Sequence, residues 1–222
     1  MELQVIEGIT YKVLPYLESN RLVYLYTSLG KVTLHARGAQ KMTSDLRIAS
    51  QYFNYIQADV DVKEGLVPVS KLSIMNDFQT IKASFDTMTH VAFILEVIDK
   101  CIDSNDPHTL IFQELLEVFQ HKDIRQQICR FMIRLLKHIG YDIPLKADGR
   151  EVTGFNIAQA TLTYQEDSLL SDISMDILIL LVQLKHTNYD TILKISNLQF
   201  QELKKFFIAY IEYHVHVKIK NR

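Results

Sequence analysis

Near residue 76 the hydrophobic pattern of this chain changes period, and that change constrains the fold more tightly than any composition figure. From Glu7 to about Met75 the apolar residues alternate or cluster in short runs: Ile9-Tyr11-Val13, Leu22 to Tyr26, Val32-Leu34-Ala36, Tyr52 to Ile56 and Leu66 to Leu72. Turn-formers at Glu18-Ser19-Asn20 and Leu29-Gly30 separate them, which predicts a small antiparallel sheet or barrel. After Asn76 the residues Phe78, Ile81, Phe85, Met88, Val91, Ile94, Leu95 and Ile98 recur every three or four positions, the period of one long helix. Further helices are predicted for Thr109 to Gln120, opened by Asp106-Pro107, and for Ile124 to His138, Ser174 to Lys185 and Phe200 to about Tyr213. Residues 140–170 hold Pro144, Gly149 and Gly154 without a sustained period and read as a loop-rich insertion. Strands followed by segregated helices make an α+β protein, with a β-barrel domain over 1–78 and an all-α domain over 79–222. A chain of 222 residues has room for both cores.

The net charge is −2, so any contact to a polyanion must be a local patch. One segment supplies it. In Lys31-Val32-Thr33-Leu34-His35-Ala36-Arg37, strand alternation sends Val32, Leu34 and Ala36 to one face and Lys31, Thr33, His35 and Arg37 to the other. The following loop adds Lys41 and Arg47 against the single acid Asp45, a local charge balance that suits phosphate. A solvated polar face is the alternative at this level. Tyr24 and Tyr26 alternate onto the face opposite Val23 and Leu25, and with Tyr52, Phe53 and Tyr55 they are candidates either for base stacking or for packing.

Other constellations carry less. Walker, dinucleotide-binding, nucleophile-elbow and paired metal-binding histidine motifs are all missing, so the chain reads as no enzyme and no cofactor is implied. Asp59, Asp61 and Glu64 flank a turn and read as a solubilising loop rather than a metal site. His214 and His216 lie two apart, on one face if the stretch is extended, in a basic tail with Lys218, Lys220 and Arg222. Cys101 and Cys129 fall in helical stretches as buried thiols of a reducing compartment. The N-terminus has no signal pattern, and the longest apolar run, Ile177 to Val182, is far too short to span a bilayer. A cytoplasmic protein is expected. In the predicted helix to His138, Arg130, Arg134 and Lys137 form a cationic ridge beside Ile128, Phe131, Met132, Leu135 and Leu136.

The ordered series Gly8-Ile9, Pro15-Tyr16-Leu17-Glu18-Ser19-Asn20-Arg21-Leu22-Val23, Gly30-Lys31-Val32, Ala36-Arg37-Gly38-Ala39 and Gln51-Tyr52-Phe53 resembles the opening of RecO proteins. That family begins with an OB-fold barrel bearing a Pro-Tyr-x-Glu-Ser-Asp-Arg turn and an Ala-x-Gly-Ala loop, followed by a helical domain. The turn's Asp is Asn20 here. The resemblance thins through the helices and returns at Glu202-Leu203-Lys204-Lys205 and Lys218-Ile219-Lys220-Asn221-Arg222. It implies an OB fold and a DNA repair and recombination mediator of the RecF pathway. Such a protein binds single- and double-stranded DNA, anneals complementary strands and helps RecR load RecA onto coated DNA. It would act in the bacterial cytoplasm at the nucleoid, monomeric by itself. The DNA-binding candidates are then Arg21, Tyr24, Tyr26, Lys31, His35, Arg37, Lys41 and Arg47. Arg130, Arg134 and Lys137 become candidates for the acidic, Phe-ending tail of single-stranded DNA-binding protein. The four-cysteine zinc motif that many RecO proteins carry after Gly-Tyr is absent, because Gly140-Tyr141 leads to Leu145-Lys146-Ala147-Asp148-Gly149, so no metal is expected. The rival reading is a helical adaptor whose barrel is merely structural.

Overall fold

The computed structural model describes residues 3–61, 67–121 and 123–221, and its backbone follows the change of period. Strand β1 (Leu3–Tyr16) pairs antiparallel with β2 (Asn20–Thr27), and β2 with β3 (Gly30–Ala36). The first half of β1 pairs with β4 (Tyr55–Asp61), which pairs with β5 (Val67–Asn76). A short parallel contact of β3 with β5 closes the barrel in the order β1-β2-β3-β5-β4. This is an OB-like barrel, the class expected. Closure works because one face of each strand is apolar: Val23, Leu25, Leu34, Ala36, Ile56 and Ala58 are fully buried inside. Between β3 and β4 sits a single helical turn, α1 (Leu46–Ala49). The Glu64 part of the acidic cluster, like the side chain of Asp61, lies outside the described residues.

The long helix expected after Asn76 is broken. Phe78 takes a left-handed conformation (φ 46°) with its N–H on Asn76 Oδ1 at 2.8 Å, α2 (Gln79–Lys82) follows, and α3 (Phe85–Cys101) starts anew after Ser84. Both segments keep the same apolar spacing, so periodicity alone does not register the gap. Next come α4 (His108–Gln120), α5 (Ile124–His138), the hairpin of β6 (Val152–Asn156) with β7 (Thr161–Tyr164), α6 (Met175–His186) and α7 (Asn197–His214).

The chain divides into two units, residues 1–88 with 107–120, and residues 89–106 with 121–222. The first therefore includes α4, which returns to the barrel and lies on β2. In it Phe78 packs edge-on to Phe119 at 4.8 Å. The second unit holds a helical core around Phe93, Phe131, Leu136, Leu181, Phe200 and Phe207.

The cysteine-free insertion is held by ordinary packing. Ile143 and Phe155 are fully buried, Phe155 meets Phe206 at 5.7 Å, and Leu162 and Tyr164 are nearly buried. Lys185 binds the carboxylate of Asp142 at 2.8 Å and donates to Ile143 O at 2.6 Å. Arg150 lies 3.8 Å over the Tyr164 ring and pairs with Asp148. Gly154 has no room for a Cβ, which would come within 1.8 Å of Ser171 Oγ, the atom that accepts the Phe155 N–H. Beyond this hairpin the interval is irregular, as its composition suggests.

The basic tail is not simply solvated. In the second unit Glu96 accepts the backbone N–H groups of Lys220 and Asn221 at 2.8 Å each and the ammonium of Lys100 at 2.6 Å. Lys100 also donates to Lys218 O, and Ile219 is buried. Arg222 lies outside the described residues. Burial pushes the Glu96 carboxyl up, but Lys100 and the two backbone donors outweigh it and hold it below its ordinary value. Because the carboxyl titrates lower folded than unfolded, its stabilisation is complete above the ordinary carboxylate range of about 4.3 and fades as pH falls through the lower folded value. Glu96→Gln is expected to cost about 1–2 kcal/mol at neutral pH, in line with hydrogen bonds to a charged group. It should also weaken the acid-induced loss of stability. Urea titrations of both proteins between neutral and acid pH measure this.

Candidate nucleic-acid interface

The outward face of β3 is built as alternation dictates. Leu34 and Ala36 are fully buried, while Lys31 and Arg37 are exposed and Thr33 and His35 are half-buried on the other side. The β2–β3 turn that sets this register uses Thr27, whose Oγ1 accepts the Leu29 N–H at 3.0 Å and donates to Gly30 O at 2.9 Å. Gly30 sits at φ 112°, where a side chain would be strained and would meet the His108 ring at 3.0 Å.

The two motifs quoted for the resemblance prove to be one structure. Asn20 Oδ1 accepts the Gly38 N–H at 2.9 Å, Gln40 donates from its side chain to Asn20 O at 2.7 Å, and Gln40 N reaches Ser19 O at 2.8 Å. The β1–β2 turn is thus stitched to the loop that carries Arg37 and Lys41. The atom used at Asn20 is an oxygen that an Asp carboxylate also supplies, so the departure from the family's Asp keeps the contact. Arg21 is spent on the same scaffold, donating to Arg47 O at 2.9 Å and Ser50 Oγ at 3.1 Å and so tying α1 to β2. Asn54 holds α1 from the other side through Ile48 O and Ala49 O. Lys41 is exposed, its stem lying 3.8 Å from the position of a Cβ on Gly38, and Arg47 is half-buried with its guanidinium against Met42 Sδ.

The aromatic candidates divide. Tyr24 is half-buried, edge-on to Tyr11 at 6.1 Å, with the Lys12 ammonium 5.0 Å over its ring. Tyr26 is a correction: it points outward from the barrel but is fully buried, because α4 lies over it. Its hydroxyl meets His108 Nδ1 at 3.3 Å and its ring packs against Phe112 at 6.2 Å, so no base can reach it. Tyr55 meets Phe112 as well and donates to Glu7 Oε2 at 2.6 Å; burial, then Glu7, push its hydroxyl up to about 12. Tyr52 donates to Val13 O.

Two neighbours were missed. Lys12 pairs directly with Tyr24 because a bulge at Tyr11 shifts the register of β1, and Tyr16 packs edge-on to His35 at 5.3 Å. No local signal reveals a bulge inside an alternating run.

In the second unit the cationic ridge does not survive. Arg130 is fully buried, donating to Gln127 Oε1 at 3.0 Å, Thr187 Oγ1 at 3.0 Å, Tyr189 O at 3.2 Å and Thr191 O at 2.6 Å. It braces the 187–193 segment with Gln126 and Gln127 and faces no partner. Arg134 is half-buried, 4.5 Å over the Tyr189 ring, and only Lys137 is exposed. His214 ends α7 and meets Ile157 O at 2.7 Å, whereas His216 is exposed at φ 61°, so the two imidazoles share no extended face. Among the described residues no group of three His, Cys, Asp or Glu is placed to hold a metal, and no helix is long and apolar enough to cross a membrane.

Two family models cover these two parts of the chain. Recombination protein O N terminal matches residues 1–78 and Recombination protein O C terminal matches residues 82–222. Among similar proteins, DNA repair protein RecO of Bacillus pumilus (strain SAFR-032) is 30% identical over 116 residues, 52% of this chain and 45% of the relative. The protein of that name from Bacillus velezensis (strain DSM 23117 / BGSC 10A6 / LMG 26770 / FZB42) is 32% identical over 115 residues, 51% and 45%. That from Clostridium novyi (strain NT) is 26% identical over 141 residues, 61% and 55%. The matched part of the chain spans about half the length of these relatives.

Proposed function

The chain belongs to the recombination protein O family, and from that premise we propose that it is a non-enzymatic mediator of DNA repair and recombination. It binds single- and double-stranded DNA, anneals complementary strands and works with RecR to load RecA onto DNA coated by single-stranded DNA-binding protein. The observation that carries this reading is the row of exposed cations, Lys31, Arg37 and Lys41, on the outward side of β3 and its loop. Tyr24 lies on the adjoining strand β2 and Lys12 beyond it on β1. Annealing makes and breaks no covalent bond. It needs phosphate repulsion neutralised and two strands held together, which fixed cations on a rigid barrel supply. Of the ridge assigned to the acidic tail, Arg134 and Lys137 remain as the proposed contacts. The setting is a bacterial cytoplasm.

The test is annealing of complementary oligonucleotides coated with single-stranded DNA-binding protein, with and without that protein's C-terminal tail. Acceleration that weakens when the tail is removed is expected. If the chain neither binds nor anneals DNA at low salt, the mediator reading fails and the adaptor with a structural barrel takes its place.

A further inference from the structure

Beside the basic loop lies a cleft of about 480 Å³, walled by residues 42–45 and α1 on one side and β5 on the other. Its apolar lining is unusually open to water: Met42 is 81% exposed, Ile48 63% and Ile74 40%, with Leu72 behind them. Such side chains forgo the stabilisation that burial of their exposed part would give, and clustered apolar groups left in water commonly mark a binding surface. The polar lining consists of Thr43, Ser44 and Asp45.

The occupant has to satisfy three features at once. Lys41 precedes Met42 in the chain and the Arg47 guanidinium contacts the Met42 sulfur, so cations border the apolar floor and call for an anionic ligand. The floor calls for flat or apolar groups. Asp45 opposes an acidic peptide, yet its carboxylate accepts hydrogen bonds from exocyclic amino groups of bases, as the Ser and Thr hydroxyls also do. A single-stranded nucleic acid has this combination: anionic backbone, apolar base faces and amino-bearing edges. A duplex does not, because its base faces are stacked on one another.

We propose that this cleft takes unstacked nucleobases of a single strand whose phosphates lie along Arg37, Lys41 and Arg47, so that the barrel unit grips single strands more tightly than duplex. The inference rests on the DNA-binding reading above and adds a strand preference to it. It also supplies the preference for unpaired strands that an annealing protein requires, without an aromatic platform.

The experiment uses the full chain and three labelled probes of equal length at one salt concentration: oligo(dC), whose bases carry an exocyclic amino group, an abasic oligonucleotide and a duplex. Wild-type protein is expected to bind oligo(dC) roughly tenfold more tightly than the abasic strand, about the contribution of one base held on the protein. The variant Met42→Ser/Ile48→Ser/Ile74→Ser should lose that tenfold for oligo(dC) and keep its affinity for the abasic strand and the duplex, since it retains every cation. Equal wild-type affinity for oligo(dC) and the abasic strand overturns the inference even if the variant misfolds. So does a variant that weakens all three probes alike or none, the latter leaving the cleft to a protein partner. Failure of wild-type protein to bind any probe is a different outcome, and it defeats the DNA-binding reading itself.

Discussion

Replacing Lys31, Arg37 and Lys41 together by Glu is expected to weaken binding to both single- and double-stranded DNA by roughly a hundredfold or more near 0.1 M salt. It should also flatten the salt dependence. Each phosphate contact contributes about 0.9 to the slope of log affinity against log salt for duplex, and about 0.7 for single strands, so three lost contacts reduce it by about 2.7 and about 2.1. All three side chains are exposed, which keeps the effect separate from stability. Arg21→Glu is a poor substitute for this experiment, because Arg21 anchors Arg47 O and Ser50 and its loss moves the loop itself. Titrations at several salt concentrations, with urea midpoints of both proteins as a control, decide the matter. An unchanged slope at unchanged stability would remove this face from the interface.

Arg130→Met is expected to cost about 3–5 kcal/mol of stability, since several buried neutral acceptors are left without a donor at about 1–3 kcal/mol each, partly offset by no longer burying a charge. Four acceptors lose a donor at once: Gln127 Oε1, Thr187 Oγ1, Tyr189 O and Thr191 O. Burial, and after it the neighbouring Arg134, lower the Arg130 pKa from its ordinary value. Arg130→Lys should recover little, since an ammonium cannot reproduce a planar fork that reaches three carbonyls and a hydroxyl. Arg134→Ala removes, among its contacts, a 3.4 Å hydrogen bond to Thr187 O and a ring contact at a half-buried position, and is expected to cost less, about 1 kcal/mol. Urea unfolding of the three variants measures the order. Should Arg130→Met prove as mild as Arg134→Ala, the brace on 187–193 is not what holds that segment. If instead Arg130→Met is destabilised as expected, a loss of affinity for the acidic tail is a folding effect, because the side chain does not reach the surface.

The contrast between these two residues locates what was legible. Arg130 and Lys137 lie on one helix and read alike in the sequence, as cations beside an apolar stripe. One is buried and the other exposed because the 187–193 segment returns over α5 from about 60 residues away, bringing carbonyls that need donors. Tyr24 and Tyr26 read alike too, as outward rings of one strand. They differ because α4, 82 residues on at His108, covers only the second. Lys12 was hidden by a bulge, and the break before α3 by an apolar spacing that continues across it.

By itself the sequence determined the change from a barrel to helices, because the period of apolar burial is a local property of strand and helix geometry. It determined the side of β3 on which Lys31 and Arg37 stand, through alternation, and the absence of the family's cysteine ligands. The tertiary structure decided which outward residues remain in water, that the turn at Asn20 and the loop at Gly38 are one scaffold, and that exposed Met42, Ile48 and Ile74 share a cleft. Those outcomes depend on which distant segment arrives to cover, brace or leave open each surface, and no periodicity along the chain encodes that arrival.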